Sequence, residues 1–231
     1  MASFYIPDCS LETNALSEEE SRHASKSLRL KNLDEIEILN GSGSVFSVRI
    51  LDLSKKKATI EVYAEKVFNP RDPSLCLAVS PLKFNDRFEF LVEKASEMGV
   101  KRIVPILCER TERKIIKKER LMRIAISALK QSGNPFLIEI TDPVSLEHFV
   151  LQDKSQTKLA ATIGNEYSVS LKKVDYKHEV STIIGPEGGF TSEEASLISR
   201  NNYLPVNLGP NVLRAESASI AVSAYFHMQK K

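Results

Sequence analysis

The sequence predicts an α/β protein: helices covering a mostly parallel sheet over residues 74–231, preceded by a small β-rich module over residues 1–70. Three observations point to it. The first stretch alternates apolar and polar residues between turn signals, the period of half-buried strands. From Leu75 onward, short apolar runs alternate with amphipathic segments, as repeated βα units do. Near the C-terminus, two glycine-proline turns each follow a β-like run and each open a helix.

In the first module, Ser17-Glu18-Glu19-Glu20 reads as a capping box, with Ser17 as N-cap and Glu20 reaching back. A helix through about Arg29 is expected to follow. Ile36 and Ile38 begin an alternating strand that ends at the hairpin signal Asn40-Gly41. Further strands are expected over Val45 to Leu53 and Ala58 to Val62, joined by a turn at Ser54 to Lys57. Asn69-Pro70-Arg71-Asp72-Pro73 reads as a linker, because its prolines block both helix and ladder.

The second module reads as a strand over Leu75 to Ser80, then a helix over Asp86 to Met98. That helix places Phe88, Leu91, Val92 and Ala95 on one face and stops at Gly99. Arg102 to Leu107 is a strand. Lys117 to Gln131 is a helix with Leu121, Ile124, Ala125 and Ala128 together. Phe136 to Ile140 and Leu159 to Ile163 are strands. The run Thr182-Ile183-Ile184 leads into Gly185-Pro186-Glu187-Gly188-Gly189, and Thr191-Ser192-Glu193-Glu194 opens a helix with a second capping box. Val206-Asn207-Leu208 leads into Gly209-Pro210, and an Ala/Ser-rich helix runs from Ser217 to Met228.

Composition narrows the function. At 231 residues, 42% hydrophobic and 27% charged, the chain has the makings of an ordinary globular protein with a sizeable core. A net charge of +2 leaves any nucleic-acid surface to a local patch. Basic residues bunch in Lys55-Lys56-Lys57 and from Arg110 to Arg123; a solvated turn and a solvated helix face are the plainer readings. Cys9, Cys76 and Cys108 are odd in number and lack CxxC spacing, so neither a disulfide framework nor a zinc site is expected. The four histidines show no HxxxH or HExxH pattern, and no metal is expected. With no run of 18 apolar residues and no signal-like N-terminus, the expected setting is the cytoplasm, away from membranes.

The two turns are where ligand chemistry is expected. Bare backbone at strand ends approaches a ligand closely, and about 20 residues separate the turns, so they suggest two walls of one pocket. Neither is a phosphate loop, since GxxxxGK[ST] is absent. Gly41-Ser42-Gly43 begins like a dinucleotide fingerprint, but Phe46 stands at its last position. Glu187 lies where a side chain faces the pocket, and Arg214-Ala215-Glu216 puts a charged pair beside the second turn. A tight βα turn with a good cap, and an Arg-Glu pair that only braces the turn, are the structural alternatives.

Ile183-Ile184-GPEGGFTSEE followed by Leu208-GPNVLRAESA resembles the bacterial 16S ribosomal RNA uridine-N3 methyltransferases, the RsmE family of the SPOUT superfamily. His23-x5-Arg29-Leu30 with Asn40-Gly41 is similar to that family's N-terminal PUA-like domain. Lys83, Glu93 to Val100, Pro105-x3-Glu109-Arg110 and Gln131-Ser132-Gly133 are similar to its catalytic domain. The resemblance implies a SPOUT-type α/β trefoil-knot domain and a homodimer. It implies S-adenosyl-L-methionine held by Ile184, Gly185, Glu187, Gly188 and Gly189 on one side and Leu208, Gly209, Val212 and Leu213 on the other.

On that basis Arg214 is the candidate for stabilising the negative charge of a deprotonated uridine N3, and Glu216 for orienting Arg214 or accepting the proton. His23, Arg29, Lys31, Lys83, Arg110 and Arg113 are candidates for contacting 16S rRNA or the small ribosomal subunit. Asn134 and Asn211 stand where that family usually has arginine, and Ser217 where it has threonine. A catalytically weak, RNA-binding assembly factor of the same fold is the alternative reading.

Overall fold

The computed structural model describes residues 2–54, 56–162 and 167–229. Lys55 of the lysine triplet and Ile163, the expected end of a strand, lie outside the described residues. The chain forms two compact units: Met1–Pro70 with Leu129–Leu137, and Arg71–Ala128 with Ile138–Lys231.

The first unit contains β1 (Ala2–Tyr5), β2 (Ala15–Leu16), α1 (Glu18–Arg22), β3 (Glu35–Leu39), β4 (Ser44–Leu53) and β5 (Ala58–Val67). Its strands form a sheet ordered β1-β3-β4-β5-β2, with only the β1–β3 pair parallel. The alternation decides which side chains go inside: Ile36, Ile38, Phe46, Val48, Ile50 and Ile60 join Phe4 in one core.

Two expectations change here. Ser17 does cap α1, its Oγ accepting from Glu20 N at 3.2 Å, but the Glu20 carboxylate faces Lys130 at 3.9 Å instead of completing a box. The α-helix ends at Arg22, passes into a π-helical turn over His23–Ser27, and Arg29 has φ +55. With only Ser21 and Ala24 buried, this segment has too little apolar face to hold a longer helix. The strand expected over Phe136 to Ile140 also divides. Leu137 N donates to Gly41 O at 2.8 Å and Phe136 bridges Ser42 within the first unit, while Glu139–Ile140 joins the sheet of the second.

The second unit contains β6 (Ser74–Val79), α2 (Asn85–Glu97), β7 (Arg102–Leu107), α3 (Lys118–Ser132), whose last turn falls in the first unit, β8 (Glu139–Ile140), β9 (Val144–Ser145) and α4 (Leu146–Gln152). It continues with β10 (Thr157–Ala161), β11 (Val169–Ser170), β12 (Glu179–Ile184), α5 (Ser192–Arg200), β13 (Leu204–Asn207) and α6 (Ala215–Met228). The sheet is parallel throughout, ordered β11-β13-β10-β12-β6-β7-β8, with β9 pairing to the end of β7.

Leu75 to Val79 of β6 are all buried, as expected of a strand covered on both faces. Cys76 and Ala78 pack with Ile183, Phe149, Val150 and Ile198 in one core, under α4 and α5. On the other face, α6 packs against α2, β6 and β12. The inner side of α6 begins small, with Ala215, Ala218, Ser219 and Ser223 buried ahead of the larger Phe226, and the two serines return their hydroxyls to Ala215 O and Ser219 O at 2.8 and 2.7 Å. Close helix packing is compatible with these polar groups because each is satisfied within its own helix. Among the described residues, no helix is long and apolar enough to cross a membrane.

Candidate active site

Because the strands are parallel, their carboxyl ends lie along one edge. The loops following β13, β12, β6 and β7 line that edge in this order, and ligands of open parallel sheets bind there. Both glycine-proline turns belong to it. One strand, β10, separates β12 from β13, so the turns begin roughly 10 Å apart, two strand spacings.

The first turn is tightly built. Ile184 is buried at the end of β12. A Cβ on Gly185 would lie 2.8 Å from the Phe190 ring, so the ring folds back over a position that only glycine leaves open. Gly189 adopts φ +70, and its N–H closes the turn on Pro186 O at 2.9 Å. The predicted capping box is complete: Thr191 Oγ1 accepts from Glu194 N at 3.2 Å and Glu194 Oε2 from Thr191 N at 2.9 Å. Glu187 is exposed, with Oε2 accepting weakly from Lys83 N at 3.5 Å.

The second turn is more open. Leu208 and Leu213 are half-buried, whereas Val212 is 73% exposed. Gly209 has φ +140, and no atom lies within 4 Å of where its Cβ would be. Arg214 is exposed and N-caps α6 without a side-chain cap bond; its carbonyl accepts from Ala218 N at 2.8 Å.

Glu216 turns away from Arg214 toward α2. Its Oε1 lies 3.8 Å from Arg87 Nε, and its buried Oε2 has no hydrogen-bond partner among the described residues. The Arg87 guanidinium in turn sits 5.1 Å over the Phe84 ring. Arg87, on the polar side of a helix read for its apolar face, is absent from the sequence-based site. Also absent is the end of β10, where Thr162 N donates to Val206 O at 3.1 Å; the hydroxyls of Thr162 and Thr182 are buried without partners among the described residues.

The basic candidates are dispersed. Lys83 pairs with Glu112 at 2.9 Å, and Arg113 Nε donates to Ile115 O at 3.1 Å. Arg110 Nη1 donates to Gly188 O at 2.8 Å and Phe190 O at 3.4 Å. In the first unit, His23 packs edge-on against Phe4 with centroids 6.1 Å apart, while Arg29 and Lys31 are exposed.

A cavity of about 290 Å³ lies instead at the amino ends of the strands, lined by Cys76, Arg102, Phe149, Asp153, Lys154 and Val180 among others. Its chemistry is structural. Burial raises the Asp153 pKa, but hydrogen bonds from Ser181, Tyr203 and Ser155 outweigh this and hold it below the usual aspartate value. The same burial, with the Asp153 charge, pushes the Tyr203 hydroxyl up. Burial raises Cys76 to about 11 and Cys108 to about 12, so neither is a thiolate at neutral pH. We therefore place the site by chain geometry at the carboxyl edge, not by cavity size.

The RNA methyltransferase domain family matches residues 70–227, and the RNA methyltransferase PUA domain family matches residues 16–63. Ribosomal RNA small subunit methyltransferase E of Aquifex aeolicus is 30% identical, covering 84% of this chain and 85% of that protein. The chain belongs to the ribosomal RNA small subunit methyltransferase E family.

The protein of the same name from Buchnera aphidicola is 29% identical, covering 89% of this chain and 83% of its own. The crystal structure of a Neisseria gonorrhoeae ribosomal RNA small subunit methyltransferase E, bound to S-adenosyl methionine, superposes with a TM-score of 0.89 at 27% identity. It covers 99% of this chain and 97% of that one. Within this member of the methyltransferase E family, Asn134 is buried and its Oδ1 accepts from Phe136 N at 3.3 Å, a local turn bond. Asn211 and Ser217 are exposed around the second turn.

Proposed function

We propose that this protein transfers a methyl group from S-adenosyl-L-methionine to N3 of a uridine in 16S ribosomal RNA of the small ribosomal subunit. The observation that carries the reading is the pairing of the two glycine turns at the carboxyl ends of β12 and β13, with Arg214 at the exit of the second. The residues fit the cofactor. Gly189 and Gly209 leave backbone accessible, and Leu208, Val212 and Leu213 offer apolar surface.

S-adenosylmethionine supplies an already activated methyl group, so the protein's main task is alignment. On this reading Ile184, Gly185, Glu187, Gly188 and Gly189 form one wall, and Leu208, Gly209, Val212 and Leu213 the other. Arg214 stabilises the anion left when N3 loses its proton. Glu216 is the carboxylate assigned to accept that proton; facing Arg87, it does not orient Arg214, and its buried Oε2, partnerless among the described residues, supports a role beyond its contact with Arg87. His23, Arg29, Lys31, Lys83 and Arg113 are proposed to face RNA, with the last two on the catalytic unit.

The insertion of β12 between β10 and β6, and the return of α6 across β6 and β12, support threading of the C-terminal segment into a trefoil knot. Exposed Phe84, Phe90, Val212 and Met228 supply apolar surface for a homodimer, and we place the protein in the cytoplasm with the ribosomal subunit.

The test is transfer of a tritiated methyl group to small subunits lacking the modification, followed by nuclease digestion and identification of the labelled nucleoside. N3-methyluridine is expected. Label on another base or at another ring position would overturn the target, and binding of subunits without any label would favour the assembly factor.

A further inference from the structure

The loop after β7 is tied to the first glycine turn at two points. At the first, the aliphatic stem of Arg110 lies along the open side of Gly188: a Cβ there would meet Arg110 Cβ at 3.3 Å and Cδ at 3.4 Å. The same arginine ends with Nη1 donating to Gly188 O at 2.8 Å and Phe190 O at 3.4 Å. At the second, the Glu194 carboxylate is shared. Oε2 accepts from Thr191 N at 2.9 Å to complete the cap of α5, while Oε1 accepts from Glu109 N at 2.8 Å. Adjacent residues of one loop thus grip both ends of the segment Gly188–Glu194. The gripping loop is itself anchored: buried Thr111 Oγ1 accepts from Cys108 N at 2.9 Å and shares a 2.8 Å hydrogen bond with Ser80 Oγ at the end of β6.

From this geometry we propose that Arg110 and Glu194 are positioning residues, which hold the first glycine turn in its cofactor-binding shape. The inference rests on the reading of that turn as a cofactor wall. It gives Arg110 a role different from phosphate contact. A turn with two glycines is entropically costly to fix, and a ligand that must order it binds more weakly by the fraction of time it is misshapen. A guanidinium that bridges two carbonyls, with a carboxylate that bridges two N–H groups, lowers that cost before the ligand arrives.

The test is calorimetric titration with S-adenosylmethionine in the absence of RNA, using the wild type, Arg110→Ala, Arg110→Lys and Glu194→Gln. Lysine keeps the positive charge but lacks the guanidinium fork, and glutamine keeps one acceptor while turning an N–H donor toward a backbone N–H. We expect all three variants to bind about tenfold more weakly than wild type, with KM for the cofactor rising and KM for RNA unchanged. Thermal melting guards against loss of fold, and if Arg110→Ala melts early the milder Arg110→Lys carries the comparison.

Wild-type affinity in Arg110→Lys, or a loss confined to RNA binding with a shallower salt dependence, would overturn the proposal and return Arg110 to phosphate contact. If the wild type itself fails to bind the cofactor, the functional reading falls, and this inference falls with it.

Discussion

The two ends of the parallel sheet are built on opposite rules. At the carboxyl edge, backbone turns with little side-chain bulk are left accessible, Arg214 is exposed, and Glu216 keeps a buried oxygen without a partner among the described residues. At the amino edge, the Asp153 carboxylate takes hydrogen bonds from Ser181 and Ser155, and from Tyr203 at 2.6 Å. Unspent polar groups can still act on a ligand; a half-buried carboxylate with its acceptors used up stabilises instead. A cavity of about 290 Å³ lies at the amino edge, so room alone does not mark the site.

The comparison predicts a double dissociation. The largest effect belongs to Arg214→Ala, which should lower kcat for methyl transfer by about 100-fold or more with little change in Tm, as loss of a charge-stabilising donor does. A normal rate would move the catalytic role off the carboxyl edge.

Asp153→Asn should do the reverse, leaving kcat and cofactor affinity near wild type while costing about 1–2 kcal/mol of stability, because the amide places a donor against hydroxyl donors; partial exposure of the group keeps the figure small. The folded-state pKa of Asp153 is depressed, so its contribution is present above the unfolded value of about 4 and is lost as pH falls through the folded value. Denaturant melts of wild type and variant should therefore converge in acid and separate toward neutrality. A constant gap would assign the effect to packing.

Gly185→Ala tests whether the carboxyl edge is open everywhere. Its Cβ would displace Phe190, which packs on the core beneath α5, and should cost about 1–3 kcal/mol as overpacking does. The smallest effect, about 1 kcal/mol from loss of the N-cap, is expected for Thr191→Ala, read as a lowered Tm.

Much of this edge was legible in the residues. Periodicity marked β6, α2, β7 and β12, and the capping box at Thr191 and Glu194 forms as read, because a cap is a local bond between residues three apart. The box at Ser17 formed only by half, since Glu20 has Lys130 within reach, more than 100 positions away in sequence. β1, β2, β9 and β11 are two to four residues long, too short to carry a period, and the signals for α4 were the cap Ser145, accepting from His148 N at 3.0 Å, and one short apolar set, Leu146, Phe149 and Val150. Within the site, the glycine turns declared themselves by composition. Arg87 and the Glu194 link to Glu109 did not, because their partners lie far away along the chain.

The sequence by itself determined the βα alternation, the places where backbone would be bare, and, through the residues of the two turns, the family. These depend on the period of apolar residues, on the absence of a Cβ and on bonds between near neighbours. Tertiary structure alone decided that β10 would stand between the two turns, that Glu216 would look toward Arg87 rather than Arg214, and that Arg110 would grip Gly188. Those outcomes depend on the order in which parallel strands pack side by side, and residues brought together by strand order carry no mark of it in their local sequence.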